Sequence, residues 1–206
     1  MTGVQTCALP IYAERVYVHK SVKKEFTDII VKKFQAVKVD NPAIEKDVDM
    51  GPLVEKRALE SVTKKVEKAV AQGAKILCGG APIGGKGYFY PATVLDNCTQ
   101  DMDIIHEETF GPVLPLIEFD TLDQVIDWAN DCEYGLASSV FTKDIDTATR
   151  VCREIEFGET YINRMHFEAI QGFHAGVKKS GIGGADGKHG MEEYLNTKVI
   201  YMQTHY

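Results

Sequence analysis

From Tyr12 onward, short β-branched and aromatic runs alternate with amphipathic stretches of helical period, and this alternation constrains the fold more than any other feature of the sequence. Arg15-Val16-Tyr17-Val18 suits a buried strand. After it, Val22, Phe26, Ile29, Ile30 and Phe34 recur at three- and four-residue steps, which turns one apolar face inward and leaves Lys23, Lys24, Lys32 and Lys33 mostly outside. Leu59, Val62, Val66, Ala69 and Val70 line a second helix, with Gly73 placed to end it. Lys75 to Cys78 reads as a strand, and Tyr88 to Val94 as extended chain interrupted by Pro91, which points to an edge or an irregular stretch. Val113 to Phe119 is another buried strand. Thr121 and Gln124 form the capping box of a helix whose inner face holds Leu122, Val125, Ile126 and Ala129. Ser138 to Thr142 is a strand, Asp144 caps a helix that buries Ala148, Val151, Cys152 and Ile155, and Thr160 to Asn163 closes the series. Strands alternating with helices predict an α/β fold: a mainly parallel sheet flanked by helices, joined by right-handed crossovers, with functional loops at one end of the sheet.

The two ends depart from the alternation. Residues 1–11, MTGVQTCALPI, match nothing that follows in pattern and are read as a non-native segment translated from a sequencing adapter, to be set aside from fold reasoning. Residues 12–190 are expected to form the domain. Residues 191–206 hold a helix end and then Lys198 to Gln203, a strand with no helix behind it. An orphan terminal strand calls for an external partner, so it is expected to join a sheet in another domain or subunit and to serve oligomer formation.

Charge and cysteine usage exclude several classes of partner. The net charge of -7 comes from 30 acidic against 23 basic residues, scattered instead of clustered, so no face would attract nucleic acid or an anionic membrane. Cys7, Cys78, Cys98, Cys132 and Cys152 lie far apart, contain no C-x-x-C pair and are odd in number, which reads as reduced thiols in a cytoplasmic protein. No apolar run approaches the roughly 20 residues of a membrane span.

Two apparent motifs fail on inspection. Gly181-Ile-Gly183-Gly-Ala-Asp186 has Asp186 where a dinucleotide fingerprint needs its third glycine, and no strand immediately precedes it. His166-Phe-Glu168 resembles a deaminase zinc signature, yet no P-C-x-x-C follows, so no metal is expected. His106-Glu107-Glu108-Thr109-Phe110-Gly111-Pro112 is more specific. By composition its paired acids are solvated loop residues, but the E-E-x-F-G-P-V string resembles a signature of the aldehyde dehydrogenase superfamily. Other segments fit that family in order: Gly51-Pro52-Leu53, Gly87-Tyr88-Phe89 with Pro91-Ala-Thr93, Tyr134-Gly135-Leu136 running into Ser139-Val140-Phe141-Thr142, Tyr161-Ile162-Asn163, and Lys179-Ser180-Gly181-Ile182-Gly183. The resemblance covers essentially everything from Ala13 to the end. Within the superfamily, Phe167-Glu168-Ala-Ile-Gln171-Gly172-Phe173-His174-Ala-Gly176 looks most like the bacterial lactaldehyde and glycolaldehyde dehydrogenases; many members carry P-F-G-G where this chain has Gly172 to Gly176.

The resemblance implies oxidation of short 2-hydroxyaldehydes to acids, with NAD or NADP as cofactor, in a cytoplasmic homo-oligomer. A cysteine thiolate of the family attacks the aldehyde, amide donors hold the oxyanion, and a glutamate activates water. Carried onto this chain, the resemblance makes Glu108 the residue that binds the nicotinamide ribose hydroxyls and Phe110 the ring that packs near the nicotinamide. Glu168 and His174 would bind the substrate's polar end and Phe173 would line the pocket. Buried groups that must bond a hydroxyl penalise an aldehyde lacking one; the plainer reading of His174 is that it satisfies loop carbonyls. The family's nucleophile, in a G-Q-x-C string, would fall at Pro10. Cys7 lies three positions too early and is read as spurious, so no catalytic residue is assigned. The oxyanion asparagine, the general-base glutamate and the cofactor-binding domain would lie upstream. The chain is therefore expected to be an inactive C-terminal fragment. The alternatives are a fragment of a succinate-semialdehyde or betaine-aldehyde dehydrogenase, or a non-catalytic assembly module.

Overall fold

The computed structural model describes residues 3–7 as backbone, and residues 13–166 and 169–205 in full. The elements in chain order are β1 (Gly3–Cys7), β2 (Ala13–His19), α1 (Lys23–Gln35), α2 (Lys56–Ala71), β3 (Lys75–Cys78), β4 (Thr93–Cys98), α3 (Asp103–His106), β5 (Val113–Phe119), α4 (Leu122–Asn130), β6 (Tyr134–Gly135), β7 (Ala137–Phe141), α5 (Ile145–Glu154), β8 (Glu159–Ile162), β9 (His174–Ala175), β10 (Val177–Lys178), β11 (Gly184–Ala185) and α6 (Gly187–Glu192).

Seven strands form one mixed, mostly parallel sheet in the order β3-β4-β5-β2-β1-β7-β8. The pairs β4·β5, β5·β2 and β7·β8 are parallel. Because β1 runs antiparallel to both β2 and β7, those two strands point the same way, and only β1 and β3 are reversed. The segment set aside in the sequence reading thus supplies, at residues 3–7, a strand that joins the two parts of the sheet. The backbone of Cys7 pairs with Ala13 and Ala137; Pro10 lies outside the described residues.

Alternation along the strands divides the core into two layers. Val16, Val18, Val94, Leu114 and Leu116 face α1, which covers them with Phe26, Ile30 and Phe34. Tyr17, Leu95, Ile117 and Phe119 face the other way, toward α2 and α4 and the inner side of α5. The central strands read as continuous apolar runs because helices dry both of their faces. The helical stripes are narrower than the sequence pattern: Ile29 and Val70, at their margins, are 49% and 41% exposed. Cys152, expected on the buried side of α5, is exposed.

Local signals set the helix ends. Thr121 Oγ1 accepts from the Gln124 amide at 3.3 Å, and Gln124 Oε1 accepts from the Asp120 amide at 2.8 Å, one residue outside the predicted box. Asp144 Oδ2 accepts from the Thr147 amide at 2.9 Å. Gly73, at φ 114°, lets Ala74 bond back to Ala69 after α2. The extended run begins at Thr93, beyond Pro91, instead of at Tyr88. Lys198 to Gln203 forms no strand within the described residues, and Val199, Ile200, Tyr201 and Met202 stand exposed.

Candidate active site

The loop of residues 106–112 connects α3 to β5 and is fastened from three sides. Glu14, one residue into β2, accepts the Thr109 amide at 3.0 Å and also receives the Phe110 amide. Lys65 of α2 donates to the Glu108 carbonyl at 2.6 Å and pairs with the Glu107 carboxylate at 3.3 Å. Gly111 sits so close to α2 that an added Cβ would come within 2.4 Å of Val62 Cγ2. These contacts hold Phe110, a non-glycine residue, at φ 48° with 62% of the residue exposed.

Beside the loop lies a cleft lined by Glu14, Arg15, Glu107, Glu108, Cys132 and Tyr134. Burial holds the Glu14 carboxyl above its ordinary range, against the Thr109 and Phe110 amides and the charges of Lys65 and Arg15. Burial also raises Glu108, helped by the negative charge of Glu14 and opposed by Lys65. Two carboxylates near one lysine, with an exposed aromatic ring at the edge, can accept hydroxyl protons while offering a flat apolar face.

A second constellation is built at the start of β8. Glu159 Oε1 lies 2.8 Å from His174 Nδ1, and the Tyr161 hydroxyl donates to Glu159 Oε2 at 2.7 Å. Phe173 packs its ring against His189, centroids 5.3 Å apart. His166 pairs with Ser139 Oγ at 3.1 Å and meets Tyr161 edge-on. Among the described residues no three His, Cys, Asp or Glu side chains are placed to hold a metal ion. Glu168 lies outside the described residues.

Glu14, the 106–112 loop and Glu159 all sit at the amino ends of like-pointing strands, β2, β5 and β8, so the candidate groups gather at one end of the sheet. That end is opposite to the carboxyl-end crevice of open doubly wound sheets. The structure brings Glu108 into the cleft; Phe110, Phe173 and His174 are not among its lining residues. Glu14, Lys65 and Glu159 were not singled out from the sequence. Their partners are up to 95 residues away, and only the position of Glu14 and Glu159 beside quoted motifs hinted at them.

A mostly parallel sheet covered by helices, with an E-E-x-F-G-P-V loop at its amino end, defines the class: the chain belongs to the aldehyde dehydrogenase family, which matches it over residues 4–200. That match begins inside the segment set aside in the sequence reading. The chain is 54% identical over 192 residues to lactaldehyde dehydrogenase of Escherichia coli (strain K12), a match that covers 93% of this chain and 40% of that protein. It is 48% identical to the 3,6-anhydro-alpha-L-galactose dehydrogenase of Vibrio sp. (strain EJY3), over 92% of this chain and 40% of that one. The crystal structure of the Escherichia coli enzyme superposes with a TM-score of 0.90 over 93% of this chain and 40% of its own. The chain thus spans 40% of the length of these curated relatives.

Proposed function

We propose that the whole protein to which this chain contributes oxidises short 2-hydroxyaldehydes, lactaldehyde or glycolaldehyde, to the corresponding acids with NAD or NADP. The observation that carries this reading is His174, held by Glu159 in the stretch where the resemblance puts P-F-G-G in many family members. A polar, oriented side chain there favours an aldehyde bearing a hydroxyl, because an aldehyde without one forgoes a hydrogen bond to the imidazole. In this reading Glu168 and His174 bind the polar end of the substrate and Phe173 lines the pocket.

The cleft and the loop beside it fit the implied cofactor: Glu108, in the cleft, offers two acceptor oxygens to a ribose diol, and the exposed Phe110, outside its lining, offers a ring face to the nicotinamide. Hydride acceptance is the chemistry that a nicotinamide dinucleotide supplies when bound. The chain's own residues orient and exclude. Glu14 and Lys65 hold the loop that carries Glu108, and Phe110 restricts the ring's position.

The chain by itself is proposed to be inactive, since the resemblance puts the nucleophile at Pro10 and the cofactor-binding domain outside the chain. The apolar tail at residues 199–202 is proposed to serve a cytoplasmic homo-oligomer. A hybrid in which residues 13–206 replace the matching segment of the Escherichia coli enzyme tests the substrate. We expect kcat/KM for glycolaldehyde to exceed that for succinate semialdehyde by more than about tenfold, with that preference lost in His174→Phe. A preference for succinate semialdehyde, or one indifferent to His174, overturns the reading. For the isolated chain, turnover of glycolaldehyde that disappears in Cys7→Ala would refute its inactivity.

A further inference from the structure

We infer that Glu159 is a positioning residue for the substrate end of the pocket: its carboxylate, shared between the Tyr161 hydroxyl and His174 Nδ1, sets the orientation of the His174 ring and thereby the selectivity for hydroxylated aldehydes. The inference rests on the reading of His174 as a substrate contact.

Both backbones that carry the pair are fixed. Glu159 opens β8, opposite Ala137, and its amide donates to the Leu136 carbonyl at 3.0 Å. His174 opens β9 and pairs with Ala185. The two segments touch at Gly158, where an added Cβ would come within 1.6 Å of the Ala175 carbonyl oxygen. Only a glycine permits that approach, and it brings the carboxylate and the imidazole into hydrogen-bond range.

The surroundings of the carboxylate then hold the ring. The side chain of Glu159 is 13% exposed, and a carboxylate that shielded is costly unless its oxygens are bonded. One oxygen takes the Tyr161 hydroxyl and the other faces Nδ1. Both carboxylate oxygens are thus engaged, and the one that faces Nδ1 holds the imidazole by that nitrogen. A second group that fixes tautomer and orientation is the usual companion of a working histidine.

The experiment compares Glu159→Ala, Glu159→Gln and wild type in the hybrid enzyme, reading kcat/KM for glycolaldehyde and for propanal, which lacks the hydroxyl. We expect Glu159→Ala to lower the glycolaldehyde-to-propanal ratio about tenfold, mainly through KM. Glu159→Gln keeps an acceptor oxygen and is expected to restore most of the ratio. A ratio unchanged in Glu159→Ala, while wild type prefers glycolaldehyde, overturns the inference and leaves the proposed function standing. A wild-type hybrid without any preference overturns both. Should Glu159→Ala fail to fold, Tyr161→Phe removes one of the two bonds on the carboxylate; it is expected to shift the ratio in the same direction by a smaller factor, and no shift overturns the inference.

Discussion

The loop of residues 106–112 and the segment from 169 to 205 both carry residues of the proposed site, yet they are held in opposite ways. The loop is set on packed structure: Val113, Leu116, Ile117 and Phe119 behind it are buried, and side chains of β2 and α2 grip it directly. In the later segment Gly190 is the one buried residue among those described. Its shape comes from two-residue strands, β9 with β11 and β10 with β6, and from glycines that admit backbone atoms where a side chain would collide. Packing therefore fixes the first region, and close backbone approach fixes the second. The first should fail through volume, the second through any added atom at a contact point.

The largest expected effect is in the packed region. Leu95→Ala, at a fully buried position, should lower unfolding free energy by about 2–5 kcal/mol in urea titrations. A loss below about 1 kcal/mol would mean that the sheet core is not what supports the loop.

Alkaline titration probes the same layer by charge instead of volume. Burial pushes the Tyr17 phenol up to about 12, against the opposing effect of Arg15. Cys98 is likewise pushed by burial to about 12. An unfolded tyrosine ionises near 10.0. Between there and the folded value the unfolded chain releases the proton first and is favoured. The Cys98 contribution should be full below pH 9 and the Tyr17 contribution below pH 10, and both fall as pH rises toward 12, by about 2–3 kcal/mol for Tyr17 alone. Circular dichroism across that window checks this, and a flat profile would show that Tyr17 is not shielded.

Glycine substitutions separate the two regions most sharply. Gly111→Ala meets the side chain of Val62, which a truncation can remove, so it should cost about 1–3 kcal/mol and be partly rescued by Val62→Ala. Gly158→Ala meets the backbone of Ala175, so no single side-chain truncation should rescue it. Double-mutant cycles decide the matter; rescue at both sites, or at neither, removes the distinction. The smallest effect is expected in the tail, where Ile200→Ala, at a 68% exposed position, should change stability of the isolated chain by no more than about 0.5 kcal/mol.

Much of the fold was legible because the signals are local. Strand and helix faces follow from periods of about two and 3.6 residues, and the caps at Thr121, Asp144 and Gly73 use atoms only a few residues apart. The pattern misjudged Cys152 and the margins of α1 and α2, since a period names a face without saying how wide a stripe the sheet covers. Of the site, Glu108, Phe110, Phe173 and His174 could be nominated through a motif resemblance, whereas the residues that hold them could not.

By itself the sequence determined the α/β alternation, the apolar faces, the helix ends and the membership implied by an ordered set of motifs, because each is written in neighbouring residues. Only the tertiary structure decided that residues 3–7 pair between β2 and β7, that Glu14 and Lys65 reach loop residues 95 and 43 positions away, and that Glu159 faces His174. Such contacts depend on where the strands place distant backbone, and no local propensity encodes that distance.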